Sequence, residues 1–268
     1  MSSSPSRLAD SHIHLFQTGY RGNLAPDEEL QHYELLREKC GVGPALVVGY
    51  EGEERYAGNN AYIRQAAQER DWMFPLRYVG QSNASDVDWQ EGFWGYALYL
   101  HDWPGSFSLA KTLNDVAIGS LDTTPLVSIN GTPEMLDAAS ESLSGFQDCR
   151  LLISHLGLPG QPASTTADAL TRLEPLLRLA ESTDVYVKIS GLYSFDSTTT
   201  GEVAEVYVRA LLQEWGAGKL LWGSDFAPIL EHWQAEDAFA LPEAIGSLLS
   251  ADEADLVTGQ NLVRLLGS

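Results

Sequence analysis

The feature that most constrains the fold is a regular alternation of short, apolar, β-rich runs with helical patterns. Eight such runs can be read: Leu8–His14, Ala45–Gly49, Met73–Val79, Gly95–Leu100, Pro125–Ile129, Leu151–His155, Val185–Ser190 and Leu220–Ser224. They recur roughly every 25–40 residues, about one strand-plus-helix unit each. The sixth and seventh are almost continuously apolar, as expected of strands covered on both faces. Helical patterns fill the gaps. Pro26–Cys40 opens with Pro-Asp-Glu-Glu and stops before Gly41, so acidic residues sit at its N-terminus and a glycine follows its end. Thr132-Pro133-Glu134 reads as an N-cap with proline in the first turn. Asn59–Arg70, Thr166–Ser182, Glu202–Trp215, Glu236–Leu249 and Ala251–Leu266 are also expected helices, with Ser106–Ser120 a weaker one. Pro175 should kink or split its helix, and Gly246 and Gly259 should weaken the last two. The pattern predicts an α/β chain folded as a single (β/α)8 barrel over 8–268, after a short disordered lead, 1–7.

Composition excludes several functions. The net charge of −21, from 37 acidic and 16 basic residues, argues against nucleic acid or an anionic membrane as partner. The longest apolar runs fall far short of the ~20 residues a membrane span needs. Met1–Arg7 lacks the apolar core of a secretory signal. Two cysteines, Cys40 and Cys149, form neither a disulfide framework nor a Cys-x-x-Cys zinc motif. The expected protein is cytoplasmic, acts on a small molecule, and has homo-oligomerisation as an open option.

In such a barrel the chemistry sits at the C-terminal ends of the strands. His12 and His14 close the first run, two residues apart, so in a strand they face the same way. His155 closes the sixth run and Asp225 the eighth. Each alone has an ordinary structural reading: a packed histidine, or a capping aspartate. Their joint placement at strand ends points to one site. Converging imidazoles hold a metal ion or polarise a carbonyl without one.

Five phrases carry a specific resemblance: DSHIHLF (10–16), LLISHLGLPG (151–160), VYVKISGLYSF (185–195), LLWGSDFAPIL (220–230) and GQNLVRLL (259–266). With them the chain resembles the amidohydrolase superfamily, in its amidohydrolase-related (amidohydrolase 2) branch. Within that branch it is similar to the lactonase-like subgroup that includes 2-pyrone-4,6-dicarboxylate hydrolase. The resemblance implies a distorted TIM barrel and hydrolysis of a small cyclic ester. It also maps His12 and His14, His155 and Asp225 onto the family's first-, sixth- and eighth-strand site positions.

Two departures shape the expectation. Metal-dependent members normally add a fifth-strand histidine, but here that strand ends Val127-Ser128-Ile129-Asn130, and the fourth ends Tyr99-Leu100-His101-Asp102. Dicarboxylate-binding relatives use several arginines as clamps, because the guanidinium fork matches a carboxylate. Here Arg55 and Arg77 are the candidates near the rim, which favours a neutral or singly charged substrate. Asp225 is expected as general base, taking a proton from the water that attacks a lactone carbonyl, with His12, His14 and His155 polarising that carbonyl. If one divalent metal (zinc or manganese) is bound, His12, His14 and Asp225 are the expected ligands and His155 orients water or substrate. Metal-free catalysis is the other option. Tyr50, Arg77, Gln81, Tyr99, His101, Asn130 and Tyr193 are candidate substrate contacts. Lys188, inside the seventh strand, is either a buried pairing residue or points into the barrel. Two further functions stand as alternatives: a metal-dependent decarboxylase of an aromatic or enoic acid, and a non-catalytic small-molecule-binding barrel.

Overall fold

The computed structural model describes residues 8–80, 91–103, 124–146, 148–196 and 198–267. Eight parallel strands run in chain order: β1 (Leu8–Ile13), β2 (Val42–Val48), β3 (Met73–Val79), β4 (Gly95–Tyr99), β5 (Leu126–Asn130), β6 (Arg150–Ile153), β7 (Asp184–Ile189) and β8 (Leu220–Trp222). Each pairs with its sequence neighbour, for example Ala97 with Ser128 and Ile153 with Val187. All eight anticipated strands are present, β3 with both ends as expected and the others with ends shifted by at most three residues. The expected helix Ser106–Ser120 and Gln81 lie outside the described residues.

Side-chain alternation sorts the core into two layers. Leu46, Leu76, Ala97, Leu126, Leu152 and Leu221 meet inside the barrel, where Leu262, Leu265 and Leu266 from the C-terminal helix close one end. The intervening residues, such as Val47, Leu98, Val127, Ile153 and Val187, pack outward against the helices. A fully buried side chain of this size contributes about 1.5–3 kcal/mol, so these two layers dominate stability.

Local signals set the helices. α1 (Glu28–Cys40) ends on Gly41 at φ 72°, a left-handed turn that glycine adopts without strain. α2 covers Asn59–Ala67. α3 (Pro133–Leu143) is capped by the Thr132 hydroxyl, which accepts from the Met135 N–H. The expected helix Thr166–Ser182 is split at Leu173 into α4 (Thr166–Arg172) and α5 (Glu174–Leu179), because Pro175 cannot donate to the preceding turn. α6 spans Glu202–Trp215. The stretch Glu236–Leu249 is not one helix. It is two single turns, Ala235–Ala238 and Glu243–Gly246, separated by Leu241-Pro242. Among the described residues, no helix is long and apolar enough to cross a membrane.

The barrel closes between β1 and β8 without a regular ladder. An isolated bridge joins Ile13 to Phe226, and the Asp225 N–H donates to the His12 carbonyl at 2.9 Å. The Asp10 carboxylate completes the seam, accepting the Ser224 N–H at 2.9 Å and the His12 N–H at 3.2 Å. Two register shifts also break β1, one on each side of Asp10. Ala9 faces inward, so strict alternation would send Ile13 inward as well; the irregularity instead turns His12 and His14 toward the interior.

Candidate active site

Above the apolar floor, the barrel interior becomes polar. His12 Nε2 lies 3.2 Å from His14 Nε2, 3.6 Å from Asp225 Oδ1, and its ring centre is 4.7 Å from that of His155. His14 Nε2 is 3.9 Å from the same Asp225 oxygen. All four residues are buried. The structure therefore brings together the four residues that the strand ends single out.

Each side chain is held from behind. His14 Nδ1 is 2.7 Å from the Val48 carbonyl, which only accepts, so Nδ1 carries the proton and Nε2 presents a lone pair. His155 Nδ1 lies 3.1 Å from Ser190 Oγ. Tyr193 Oη donates to Asp225 Oδ2 at 2.8 Å, and its ring stacks on His232 at 4.2 Å. The backbones of His155 (φ 54°) and Asp225 (φ 60°) are both left-handed, an uncommon conformation for non-glycine residues that the surrounding contacts must enforce. Gly191 is required beside them: at φ 56°, a Cβ there would lie 2.3 Å from His155 Nδ1.

Burial governs the electrostatics. It pushes the Asp225 carboxyl up to about 8, against the lowering effect of the Tyr193 hydroxyl and Lys188. It holds His14 near 4 and His155 near 3, and pushes His12 well below the ordinary imidazole range, so all three rings are neutral. Lys188, fully buried on β7, is lowered to about 7 by the same desolvation. Its Nζ donates to Ser128 Oγ at 2.7 Å and lies 3.2 Å from His12 Nδ1. Ser154 Oγ, 3.4 Å from the same ring nitrogen and 3.3 Å from Ser128 Oγ, completes the cluster.

The site opens into a cavity of about 210 Å³. Phe16, Tyr20, Tyr50, Tyr56, Tyr99 and Tyr193 form much of its wall, with Asn130 from the end of β5. Phe16 and Tyr56 stack at 4.1 Å, and Tyr99 Oη reaches to 3.5 Å from His14 Nε2. Glu53 and Asp225 are the charged side chains among the described lining residues. The loop that carries the wall is held by Glu29, a buried carboxylate that accepts the N–H groups of Phe16 at 2.8 Å and Tyr20 at 2.6 Å.

Of the candidate substrate contacts, Tyr50, Tyr99, Asn130 and Tyr193 line the cavity. Arg77 does not. It lies between Leu76 and Tyr78, both of which face the interior, so alternation turns it to the outer layer. His101 is 47% exposed and 3.3 Å from Asp102, outside the lining. Arg55 is engaged by Glu53 at 3.0 Å and lies over the Tyr56 ring. The inward direction of Lys188, and the Ser128, Ser154 and Ser190 contacts, were not read from sequence. A lone charge in the apolar run Val185–Ile189 was the available signal.

The family model for amidohydrolases matches residues 9–268. The chain belongs to the amidohydrolase family. A search of curated proteins finds no match. Among solved structures, the chain is similar to a probable 2-pyrone-4,6-dicarboxylic acid hydrolase from Acinetobacter baumannii with citric acid bound. They are 20% identical, covering 98% of this chain and 100% of that one, with a TM-score of 0.73. It is also similar to an amidohydrolase from Burkholderia multivorans with bound zinc, at 18% identity, 97% and 99% coverage and a TM-score of 0.75. A third, amidohydrolase 2 from Bifidobacterium longum subsp. infantis, is 16% identical, with 97% and 98% coverage and a TM-score of 0.64. At these identities the likeness establishes the barrel; membership in the family makes this amidohydrolase-family protein a hydrolase.

The family raises the question of a metal. His12, His155 and Asp225 present ligand atoms within 4.8 Å of one another, and His14 Nε2 lies beside them, so spacing alone allows a divalent ion. The chemistry behind His12 does not fit. A ligating histidine leans its other ring nitrogen on an acceptor, commonly a carboxylate or carbonyl. His14 does so through Val48, whereas the nearest group to His12 Nδ1 is the Lys188 amine. No step below is routed through a metal.

Proposed function

We propose that this hydrolase opens a small, uncharged cyclic ester by attack of water, with Asp225 as the general base. The observation that carries the reading is the Asp225 carboxylate at the base of the cavity. One oxygen is tethered by Tyr193 and the other faces His12 and His14. With its pKa near 8, this carboxylate is a far stronger base than an ordinary aspartate near ~3.9.

The step balances without an added reagent. Oδ1 takes one proton from water as its oxygen bonds to the lactone carbonyl carbon. The carbonyl oxygen becomes an oxyanion beside the neutral imidazoles of His12 and His155, where hydrogen bonds stabilise the charge in a dry pocket. Collapse breaks the ring C–O bond, and the departing alkoxide takes the proton back from Asp225. The product is an open-chain hydroxy acid.

The wall argues for the substrate's charge. Aromatic faces and hydroxyls suit a sugar lactone or an aryl lactone, whereas Glu53, joined by Asp225 once that group is ionised, repels a dicarboxylate. The test is a panel of sugar lactones, aryl lactones, 2-pyrone-4,6-dicarboxylate and enoic acids, read for ring opening and for carbon dioxide release. The expected result is ring opening of an uncharged lactone, lost in Asp225→Asn with the fold retained. Carbon dioxide release would support the decarboxylase alternative, and full activity in the variant would remove Asp225 as the base.

A further inference from the structure

We infer that Lys188 is a positioning residue that fixes the tautomer of His12, placing that ring's proton on Nε2 so that it faces His14 and Asp225 as an N–H donor. Two independent contacts lead to the same assignment. The first is behind the ring. Lys188 Nζ is 2.7 Å from Ser128 Oγ and 3.2 Å from His12 Nδ1. An ammonium has only protons to offer, so Nδ1 facing it accepts; a neutral amine keeps the same arrangement by donating one N–H to each neighbour. A neutral ring with Nδ1 unprotonated carries its proton on Nε2.

The second contact is in front. His14 donates its Nδ1–H to the Val48 carbonyl at 2.7 Å, so its Nε2 is an acceptor. That nitrogen sits 3.2 Å from His12 Nε2. Two lone pairs at this distance would repel; a His12 Nε2–H makes the contact a hydrogen bond. The result is one directional chain from Lys188 through His12 and His14 to Val48. A single metal ion holding both nitrogens at ~2.0–2.1 Å would also bring them about 3.3 Å apart, so the front contact alone does not separate the two arrangements. The contact behind does: a metal needs the His12 Nε2 lone pair, and Lys188 directs the proton there.

Lys188 is otherwise an expensive residue for a barrel interior. It is fully buried, and among the described residues no carboxylate is in hydrogen-bond contact with it, Asp225 and Asp10 acting on it only through space. Burying such a group without pairing costs several kcal/mol, more than the site needs for packing alone. As a donor it aligns His12 before substrate arrives, and on binding the Nε2–H is free to turn from His14 to the substrate carbonyl. That last role rests on the hydrolytic reading above; the tautomer does not.

The test is nitrogen NMR of protein labelled with ring-15N histidine, without substrate, with the His12 signal identified by its loss in His12→Gln. The His12 ring is expected as the Nε2–H tautomer in the native chain. In Lys188→Met, which keeps length and removes the donor, only the His14 contact still favours Nε2–H, so an Nδ1–H population donating to Ser154 Oγ should appear. Ser154→Ala should leave the native tautomer in place. In lactone hydrolysis, Lys188→Met should lower kcat at least tenfold with little change in KM. A native His12 ring protonated at Nδ1 would overturn the inference, as would an unchanged tautomer in Lys188→Met. Should that variant fail to fold, the native spectrum decides alone. An inactive enzyme with the expected tautomer would count against the lactonase reading and leave this one standing.

Discussion

Tyr193 Oη lies 2.8 Å from Asp225 Oδ2, so the carboxylate meets its substrate with one oxygen committed and the other aimed at His12 and His14. This bond favours the ionised form, while burial, the larger influence, favours the protonated one. Asp225 acts as a base only when ionised. The rate should therefore rise about tenfold per pH unit below about 8 and level off above it. Tyr193→Phe removes a hydrogen bond to a charged group, worth about 1.5–3 kcal/mol, and should move the midpoint upward by ~1–2 pH units. The loss of kcat/KM should be severe at pH 7 and small at pH 10. A midpoint left in place would show that this bond does not tune the base.

Asp10 should matter most for stability. It is fully buried and closes the seam by accepting the N–H groups of Ser224 and His12, with Tyr33 Oη at 3.3 Å. Asp10→Ala leaves these donors without an acceptor and should cost about 3–5 kcal/mol, read by urea unfolding. The cost should depend on pH. Burial raises the Asp10 carboxyl to about 6, above the ~3.9 of an unfolded aspartate. A raised acid stabilises the fold fully below the unfolded value and loses that contribution as pH rises through the folded one. The gap between native and variant should therefore narrow between pH 4 and 6. A constant gap would mean that Asp10 titrates alike in both states.

The seam also shows what a sequence can and cannot convey. His12, His14, His155 and Asp225 were legible because each ends a recognisable strand, and one rule places strand ends on one face of a barrel. Asp10 stands in the same phrase as the histidines, yet its role depends on Ser224, 214 residues away. Lys188 was visible as a charge within an apolar strand, but β7 is apolar on both faces, so alternation gave its direction no contrast. Arg77 failed as a cavity residue for the same reason: Leu76 and Tyr78 fill the interior, and nothing in β3 marks which face is outer. The aromatic wall from Phe16, Tyr20 and Tyr56 comes from loops and short turns, where periodicity carries no information.

Gly191→Ala should separate a steric effect on the site from simple backbone strain. The left-handed backbone costs alanine ~1–2 kcal/mol, and the new Cβ would lie 2.3 Å from His155 Nδ1. The imidazole must move away from Ser190, and a shift of about 1 Å in a site can cost ~100-fold in rate. Gly41→Ala is the control: its backbone is also left-handed, at φ 72° and ψ 27°, but nothing lies within 4 Å of its Cβ. Thermal melts should show similar destabilisation in both variants, with kcat reduced only in Gly191→Ala. Equal kcat values would mean that His155 tolerates displacement.

Removing metal should leave the rate unchanged. His12, His155 and Asp225 have the spacing of a metal centre, but Lys188 places a hydrogen-bond donor 3.2 Å behind His12, where a ligating histidine would have an acceptor. A divalent ion at the front of that ring would also face the positive charge carried by Lys188 when protonated, at close range in a medium that screens poorly. Protein dialysed against a strong chelator should retain its lactone-opening kcat, and elemental analysis of the active sample should find far less than one transition metal per chain. Lys188→Met removes both obstacles, so zinc should bind this variant more tightly than the native chain in a competition titration with a chromogenic chelator. Activity lost on chelation and restored by zinc or manganese would reverse the conclusion and make His12, His14 and Asp225 ligands after all.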